Sequence, residues 1–259
     1  MALIEHSLAG PVGILQLNRP EKQNSLSRAL MQEMMEGLEA LAAGDAHVVI
    51  LRAARGVKVW SAGHDITELP EPRRDPLAYC DELETLLRKI QDFPVPVIAM
   101  VEGTVWGGAC DLCFSCDMVV AAEGSTFAMT PAKLGIPYNA SGLIHFTNLI
   151  GVNKAKEMFF TAQPVSVNDA WNNGFVNHVL PADGLEAFTM KMAETIASNA
   201  PLAVRALKAE FRILTRGHHI DAEAAEQIQA IRRRVYDSED YAEGIRAFKE
   251  KRHPQFRGQ

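Results

Sequence analysis

Two glycine-containing segments are the first places where this chain could do chemistry. One reads Ser-Ala-Gly-His-Asp-Ile over residues 61–66, and the other reads Gly-Thr-Val-Trp-Gly-Gly over residues 103–108. Small residues let a backbone approach a ligand closely, and each segment leads into a helical pattern. N–H groups at a helix start lack partners within the helix and favour negative charge. Together the turns could hold one ligand oxygen between two N–H donors, although a glycine pair before a helix is more often only a tight turn.

Few acid–base or hydroxyl side chains accompany these turns. His64 lies within the first turn and invites assignment as a general base. Asp111 lies near the start of a short predicted helix, where a carboxylate serves either catalysis or the backbone donors of the helix. Thr130 and Tyr138 lie in a proline-containing segment, and their hydroxyls could orient a substrate. A tyrosine packed in the core is an equally good interpretation of Tyr138.

The elements that must position these residues alternate between strands and helices. Short apolar runs predict buried strands, and apolar residues at helical spacing predict the helices between them. The predicted strands are 12–17, 48–51, 97–101 and 117–122, and the predicted helices are 27–43, 83–90 and 107–115. This alternation favours an α/β fold with a mainly parallel sheet. Strand signals nearly vanish after residue 140, so we expect a core over residues 1–195 and a helical region over residues 196–259.

Composition narrows the class of protein. The chain has 259 residues, a formal net charge of -6 and 47% hydrophobic residues. This charge gives no reason to expect nucleic acid or an anionic membrane as a partner. No signal peptide is evident and no apolar run approaches the roughly 18 residues of a membrane span. Three of the four cysteines lie within seven residues, a poor spacing for disulfides, so we expect a cytoplasmic protein with reduced thiols.

Both glycine turns belong to a wider set of signatures in which the chain resembles the crotonase (enoyl-CoA hydratase/isomerase) superfamily over nearly its whole length. The set comprises Asn-Arg-Pro at 18–20, Trp60 to Asp65, Gly103 to Gly108, Phe127 to Gly135 and Phe-x-x-Lys-Arg at 248–252. The resemblance implies a spiral of ββα units, followed by a C-terminal helical trimerisation region. It therefore also implies an acyl-CoA thioester substrate and a homotrimer or a dimer of trimers.

The same resemblance assigns roles to individual residues. It places the oxyanion hole at the backbone N–H groups of His64 and Gly108, so a main-chain role for His64 is favoured over a side-chain role. Other positions are expected to line or hold the acyl-CoA, namely Lys22, Ala62, Gly63, Asp65, Ile66, Gly107, Pro131 and Lys251. Lys22 and Lys251, with Arg252, are the candidates for binding the coenzyme A phosphates.

The reaction depends on two further positions. Hydratases of this superfamily use two glutamates to handle water, and here those positions hold Asp111 and Pro131. Pro131 cannot act as an acid or a base, which argues against hydration. The segments at 60–66, 101–109 and 127–139 resemble most closely the branch that decarboxylates methylmalonyl-CoA. That branch is expected to carry glutamate at the position of Asp111, which puts the role of this carboxylate in doubt.

The resemblance therefore predicts decarboxylation of methylmalonyl-CoA to propionyl-CoA through an enolate, without biotin, metal or a nucleotide redox cofactor. Thr130 or Tyr138 would orient the substrate carboxylate or deliver the proton. An enoyl-CoA hydratase or isomerase of the same superfamily is the alternative. A non-catalytic or RNA-binding homologue is disfavoured, since the acidic chain has no basic stripe.

Overall fold

In a computed structural model of the chain, the structure describes residues 2–70, 73–215 and 222–258. Over these residues the chain forms ten strands and ten α-helices. The strands are β1 (Ile4–Ala9), β2 (Val12–Leu17), β3 (Val48–Ala53), β4 (Val59–Ser61), β5 (Val97–Val101), β6 (Thr104–Trp106), β7 (Met118–Ala122), β8 (Thr126–Ala128), β9 (Val165–Ser166) and β10 (His178–Leu180). The helices are α1 (Arg28–Ala43), α2 (Glu82–Gln91), α3 (Gly108–Ser115), α4 (Ala140–Ile150), α5 (Val152–Thr161), α6 (Val167–Asn172), α7 (Ala182–Ala197), α8 (Pro201–Thr215), α9 (Ala222–Tyr236) and α10 (Glu239–Lys249).

The strands form two sheets. The larger sheet has the order β1-β2-β3-β5-β7-β10 and is parallel except where β1 pairs with β2. The smaller sheet has the order β4-β6-β8-β9 and is antiparallel only between β8 and β9. Each successive pair, β3 with β4, β5 with β6 and β7 with β8, gives one strand to each sheet. The predicted α/β spiral of ββα units is therefore confirmed.

Central strands of the larger sheet are buried on both faces. Val49 and Val97 point into the main core with α1 and α2, whereas Ile50 and Ile98 point into a second core under α7. This double burial explains why β3 and β5 read as continuous apolar runs rather than as alternating ones. The sheet is thus a rigid platform, and the short strands of the smaller sheet extend from it toward the glycine turns.

Six strands were not predicted, for local reasons: β1, β4, β6, β8, β9 and β10. β1 is an edge strand with one buried residue, Ile4, so it shows no apolar alternation. The other five contain only two or three residues, too few to give a periodic signal. Each of these five pairs with a strand that is distant in sequence, which a local pattern does not reveal.

The expected boundary at residue 195 falls inside α7. This helix packs on the larger sheet and ends at Ala197, so it is part of the core. The helical region that follows begins with α8 at Pro201, a residue well suited to a helix start. In the described residues no helix combines the length and the apolar character required to cross a membrane.

Two helices of the tail, α9 and α10, pack back on their own chain. Arg232 of α9 is almost fully buried, and its guanidinium donates to the Asp75 carboxylate at 2.8 Å and to the Leu77 carbonyl at 3.2 Å. In α10, a Cβ atom added at Gly244 would lie 2.1 Å from the carbonyl oxygen of Leu134, so the two backbones are in direct contact. The tail therefore packs on residues 75–77, which follow the first glycine turn, and on Leu134, which follows the second.

Candidate functional site

The two glycine turns lie side by side because neighbouring strands of the smaller sheet deliver them. β4 and β6 are parallel partners, so their carboxyl ends meet at one edge. Gly63 has φ +81°, and a Cβ atom there would lie 2.3 Å from the carbonyl oxygen of Trp106 and 3.2 Å from the Gly108 nitrogen. A Cβ atom at Gly108 would in turn lie 3.7 Å from the His64 nitrogen. Close approach of the two backbones therefore requires glycine at position 63.

Most N–H groups of the first turn are already occupied. Those of Ala62 and Asp65 donate to the carbonyls of Gln23 and Leu26, at 2.9 and 3.1 Å. The N–H groups of His64 and Gly108 have no acceptor in the part of the chain that the structure describes. Gly108 is also the first residue of α3, where no acceptor exists within the helix and the dipole favours an anion. The two groups that the sequence singled out are thus adjacent and available to one oxygen atom.

A cleft with about 510 Å³ of empty space lies beside these two groups. Its lining includes Ala62, Ile66, Gly107 and Pro131, four of the residues expected to contact the acyl-CoA. The wall also contains Ile136 and four leucines that were not predicted, namely Leu69, Leu77, Leu83 and Leu134. These leucines come from segments far apart in sequence, so no local pattern identifies them as one surface.

The cleft has few polar side chains. Among the described residues that line it, only His64, Thr130 and Tyr138 carry polar side-chain atoms, and none carries a carboxylate. Pro131 is buried in the wall at the start of a 3₁₀ helix, Pro131–Leu134. An apolar cleft with two backbone donors at one end suits an acyl thioester whose oxygen gains negative charge.

Asp111 lies one layer behind the cleft. Its side chain is 1% exposed, and the Tyr138 hydroxyl donates to its Oδ2 at 2.7 Å. On the other carboxylate oxygen, Oδ1, the His145 Nδ1 approaches to 3.0 Å. Asp111 thus reaches the cleft through Tyr138 and holds the tyrosine in place. Tyr138 also packs on Phe159, with ring centroids 5.0 Å apart, so it is both a core residue and part of the cleft wall.

Burial and the charge of Asp111 shift the pKa values of Tyr138 and His145. Burial raises the pKa of the Tyr138 phenol well above its usual value, and the Asp111 charge adds to the increase. Burial alone would lower the pKa of His145, but the hydrogen bond to Asp111 and the charge of that carboxylate outweigh it, so the pKa is raised. The protonated imidazolium of His145 is therefore favoured relative to that of an ordinary histidine.

A second buried carboxylate lies close to the first. Glu84 of α2 accepts hydrogen bonds from the Asn139 amide and, at 3.1 Å, from the Ser141 hydroxyl. Burial raises the pKa of Glu84, and the nearby Asp111 charge raises it further against the effect of these hydrogen bonds. Asn139 also caps α4 by accepting from the Gly142 N–H at 2.8 Å. Glu84 thus anchors the segment that carries Tyr138.

Three other expected residues have different surroundings. The Asp65 carboxylate accepts hydrogen bonds from Thr67 and pairs with Arg19 at 3.1 Å, so it stabilises the turn rather than facing the cleft. Lys22 is exposed at the end of a 3₁₀ helix whose following residue, Gln23, binds the first glycine turn. Lys251 is exposed just beyond α10.

His145 and Glu84 were not identified from the sequence. One signal was available for the histidine: it lies on α4 next to the buried Phe146 and three residues after the buried Gly142. A titratable side chain on the inward face of a helix requires a polar partner. The partner, Asp111, is 34 residues away in the chain, so only the fold identifies it.

Comparison with known proteins bears on this site. A family model described as enoyl-CoA hydratase/isomerase matches residues 8–259. Methylmalonyl-CoA decarboxylase of Escherichia coli (strain K12) is 47% identical over 247 residues, which is 95% of this chain and 95% of that protein. The 2,3-dehydroadipyl-CoA hydratase of the same strain is 31% identical over 246 residues, 95% of this chain and 94% of that protein.

The fold comparison agrees with the sequence comparison. A solved structure of methylmalonyl-CoA decarboxylase in complex with 2-nitronate-propionyl-CoA matches with a TM-score of 0.97 at 45% identity, covering 99% of both chains. The two-sheet spiral and the adjacent glycine turns are thus features of a known family. The chain belongs to the enoyl-CoA hydratase/isomerase family and has the crotonase fold.

Proposed function

We propose that this chain decarboxylates methylmalonyl-CoA to propionyl-CoA without biotin. The observation that carries the proposal is an aliphatic cleft with two unoccupied N–H donors and, among the described residues of its wall, no carboxylate. The 47% identity to methylmalonyl-CoA decarboxylase of Escherichia coli supports the same reaction.

The proposed mechanism uses the thioester itself as the electron sink. The bond between C2 and the carboxylate carbon breaks, carbon dioxide leaves, and the electron pair forms an enolate with its charge on the thioester oxygen. The N–H groups of His64 and Gly108 stabilise that charge, each by about 3–4 kcal/mol by analogy with other oxyanion holes. A carboxylate held against the apolar wall at Pro131 is poorly solvated, which favours its loss as a neutral molecule.

The enolate then takes up one proton at C2. Thr130 and Tyr138 carry the hydroxyl groups of the described cleft wall, and we propose that one of them orients the carboxylate or delivers this proton. Tyr138 is the better candidate for orientation because Asp111 and Phe159 hold its ring. The Tyr138 hydroxyl donates to Asp111 in this structure. Since an ionised carboxylate can only accept, the hydroxyl must turn its hydrogen from Asp111 toward the cleft to orient the substrate or to deliver the proton.

Hydration is less well supported. A hydratase of this family requires two carboxylates at the reacting carbons, and here Pro131 occupies one position. Asp111 occupies the other, but its two oxygens are engaged by Tyr138 and His145. An RNA-binding role is also disfavoured by the net charge of -6.

We further propose a homo-oligomer, a trimer or a dimer of trimers, assembled through α8. No described residue of this helix is buried, although it carries Leu202, Phe211 and Leu214, which are 80%, 65% and 76% exposed. Exposed apolar surface of this extent is typical of a subunit interface. Lys22 and Lys251 are proposed to bind the coenzyme A phosphates, whereas Arg252 is paired with Glu243 and Glu250 of its own chain.

We propose a reducing, cytoplasmic location because the cysteine thiols are free. All four cysteines are free, and burial raises the pKa of Cys110, Cys113 and Cys116, which makes these thiols inert. Independence from biotin and metals stays a prediction; avidin and a chelator are expected to leave the rate unchanged.

The reaction is tested by isotope incorporation. Purified protein incubated with methylmalonyl-CoA in deuterium oxide is expected to release carbon dioxide and to form propionyl-CoA with a single deuterium at C2. Mass spectrometry of the acyl-CoA gives both results. Absence of propionyl-CoA under these conditions would overturn the proposal.

A further inference from the structure

Asp111 is a buried charge with one basic partner. Among the described residues, the imidazole of His145, at 3.0 Å, is the only basic group within 4.0 Å of its carboxylate. The neighbouring cations have carboxylates of their own: Lys208 pairs with Asp117 at 2.7 Å, and Arg88 with Glu84 at 3.8 Å. A buried carboxylate without a cation is strongly disfavoured, so the protonation of His145 decides the net charge behind Tyr138.

The pair of Asp111 and His145 lies between the acyl cleft and a second cavity. On one side, the Tyr138 hydroxyl joins Asp111 to the acyl cleft, where the substrate carboxylate and then the enolate carry negative charge. On the other side, His145 is 24% exposed and faces a large cavity between the core and α8. Protons can therefore reach His145 without passing through the acyl cleft.

We propose that His145, as the imidazolium, compensates the charge of Asp111 and thereby lets the acyl cleft accept a thioester that carries a carboxylate. The inference rests on the proposed function, since it concerns the anionic acyl group of that reaction. His145 is a positioning and specificity residue here, because it acts through Asp111 and Tyr138 and does not line the cleft.

The charge on His145 makes substrate affinity depend on pH. The interaction with Asp111 raises the pKa of His145 and so favours the charged ring, and the charge is lost as the pH rises through that pKa. An uncompensated Asp111 then repels the substrate carboxylate. The charged groups that face the same cavity with His145 are Glu84, Arg88, Asp111, Asp117, Lys208 and Arg212. The three cations among them are paired, Arg212 with Asp92 at 2.5 Å, so they are not free to replace the imidazolium.

Binding of two unreactive thioether analogues tests this inference without turnover. Carboxypropyl-CoA carries the carboxylate and propyl-CoA does not, while both carry the same coenzyme A phosphates. The ratio of their dissociation constants, measured by calorimetry from about pH 6 to about pH 9, isolates the effect of the carboxylate. In the wild type we expect affinity for carboxypropyl-CoA relative to propyl-CoA to fall by about five- to ten-fold as His145 loses its proton.

Substitutions distinguish a charge-compensating role of His145 from a purely structural one. His145→Asn retains a hydrogen-bond donor but no charge, so the ratio should resemble that of the high-pH wild type at every pH. Adding Asp111→Asn removes the uncompensated charge and should restore the low-pH ratio, a rescue that a merely structural role would not give. His6→Asn is the matched control, because it removes an exposed histidine on the edge strand β1, outside the cleft, and should retain the pH dependence.

Three results would overturn the inference. They are a pH-independent ratio in the wild type, a His145→Asn protein with wild-type pH dependence, and a failure of Asp111→Asn to rescue the ratio. If His145→Asn does not fold, the wild-type profile and His145→Gln provide the same test. Because only binding is measured, a chain that bound both analogues but did not decarboxylate methylmalonyl-CoA would refute the proposed function alone.

Discussion

Tyr138 connects the acyl cleft to the buried carboxylate of Asp111. Tyr138→Phe keeps the ring and its packing on Phe159 but removes the hydroxyl that donates at 2.7 Å. We expect kcat for methylmalonyl-CoA to fall by about ten-fold or more, as is usual when a positioned orienting or proton-transfer group is lost. Steady-state kinetics provide the measurement. Tyr79→Phe, which removes an exposed hydroxyl, is the control, and equal kinetics in the two variants would reduce Tyr138 to a packing residue.

Pro131 distinguishes decarboxylation from hydration at a single position. Pro131→Glu places a carboxylate in an apolar wall, where it repels the substrate carboxylate and brings water into the cleft. We expect the decarboxylation rate to fall by about ten-fold or more. A gain in crotonyl-CoA hydration would also require a free oxygen on Asp111, and both of its oxygens are engaged.

Pro131→Ala is the matched control, since it removes the proline ring without adding charge. A similar loss in both variants would show that the ring, and not the absence of charge, is what matters. If Pro131→Glu folds, binds propionyl-CoA and decarboxylates at the wild-type rate, the account of this wall is wrong.

At the residue scale, the sequence identifies a position most directly where backbone geometry demands a residue type. Gly63 is such a position, because only glycine permits its positive φ and the close approach to the Trp106 carbonyl. The surroundings of Asp111 could not be predicted, because they depend on Tyr138 and His145, which lie 27 and 34 residues away. Whether a carboxylate faces a ligand or a buried partner is decided by packing.

Elements were predictable in proportion to their burial and length. Strand β2 and helix α1 carry enough apolar residues for a periodic signal, and Ser27 caps α1 as its side chain accepts from the Leu30 N–H at 3.3 Å. β9 and β10 are too short for such a signal. The packing of α9 and α10 on their own chain could not be predicted either, because it depends on contacts between residues far apart in sequence, such as Arg232 and Asp75.

The close packing of α10 on the 3₁₀ helix Pro131–Leu134 can be tested by enlarging a residue at their contact. A Cβ atom at Gly244 would lie 2.1 Å from the Leu134 carbonyl oxygen, so Gly244→Ala must push the two backbones apart. We expect a loss of about 1–3 kcal/mol in the free energy of unfolding and a higher KM for methylmalonyl-CoA. Denaturant unfolding and kinetics test both effects.

Gly184→Ala on α7 is the control, because an added Cβ atom there meets nothing within 4 Å. That variant should retain or slightly increase the stability of the protein. Equal stability and equal KM in the two variants would contradict the view that α10 supports the cleft wall.

At the scale of the whole molecule, we propose that the exposed apolar face of α8 packs on a partner subunit. We expect light scattering at micromolar concentration to give the mass of three or six chains. Leu214→Glu places a charge on a residue that is 76% exposed in the single chain and should weaken the assembly. Leu8→Glu on the edge strand β1 is the control. A monomeric wild type would contradict the proposed assembly.

Two backbone donors, and a cleft wall whose described residues carry no carboxylate, make this family member a decarboxylase. The most direct test of this activity is the ratio of kcat/KM for methylmalonyl-CoA to that for crotonyl-CoA, measured with one preparation of the wild-type protein. We expect this ratio to exceed about one hundred, since hydration lacks a carboxylate at position 131 and each lost acid–base group costs about 10²–10⁴-fold. A ratio below one, with crotonyl-CoA hydrated faster than methylmalonyl-CoA is decarboxylated, would contradict the account.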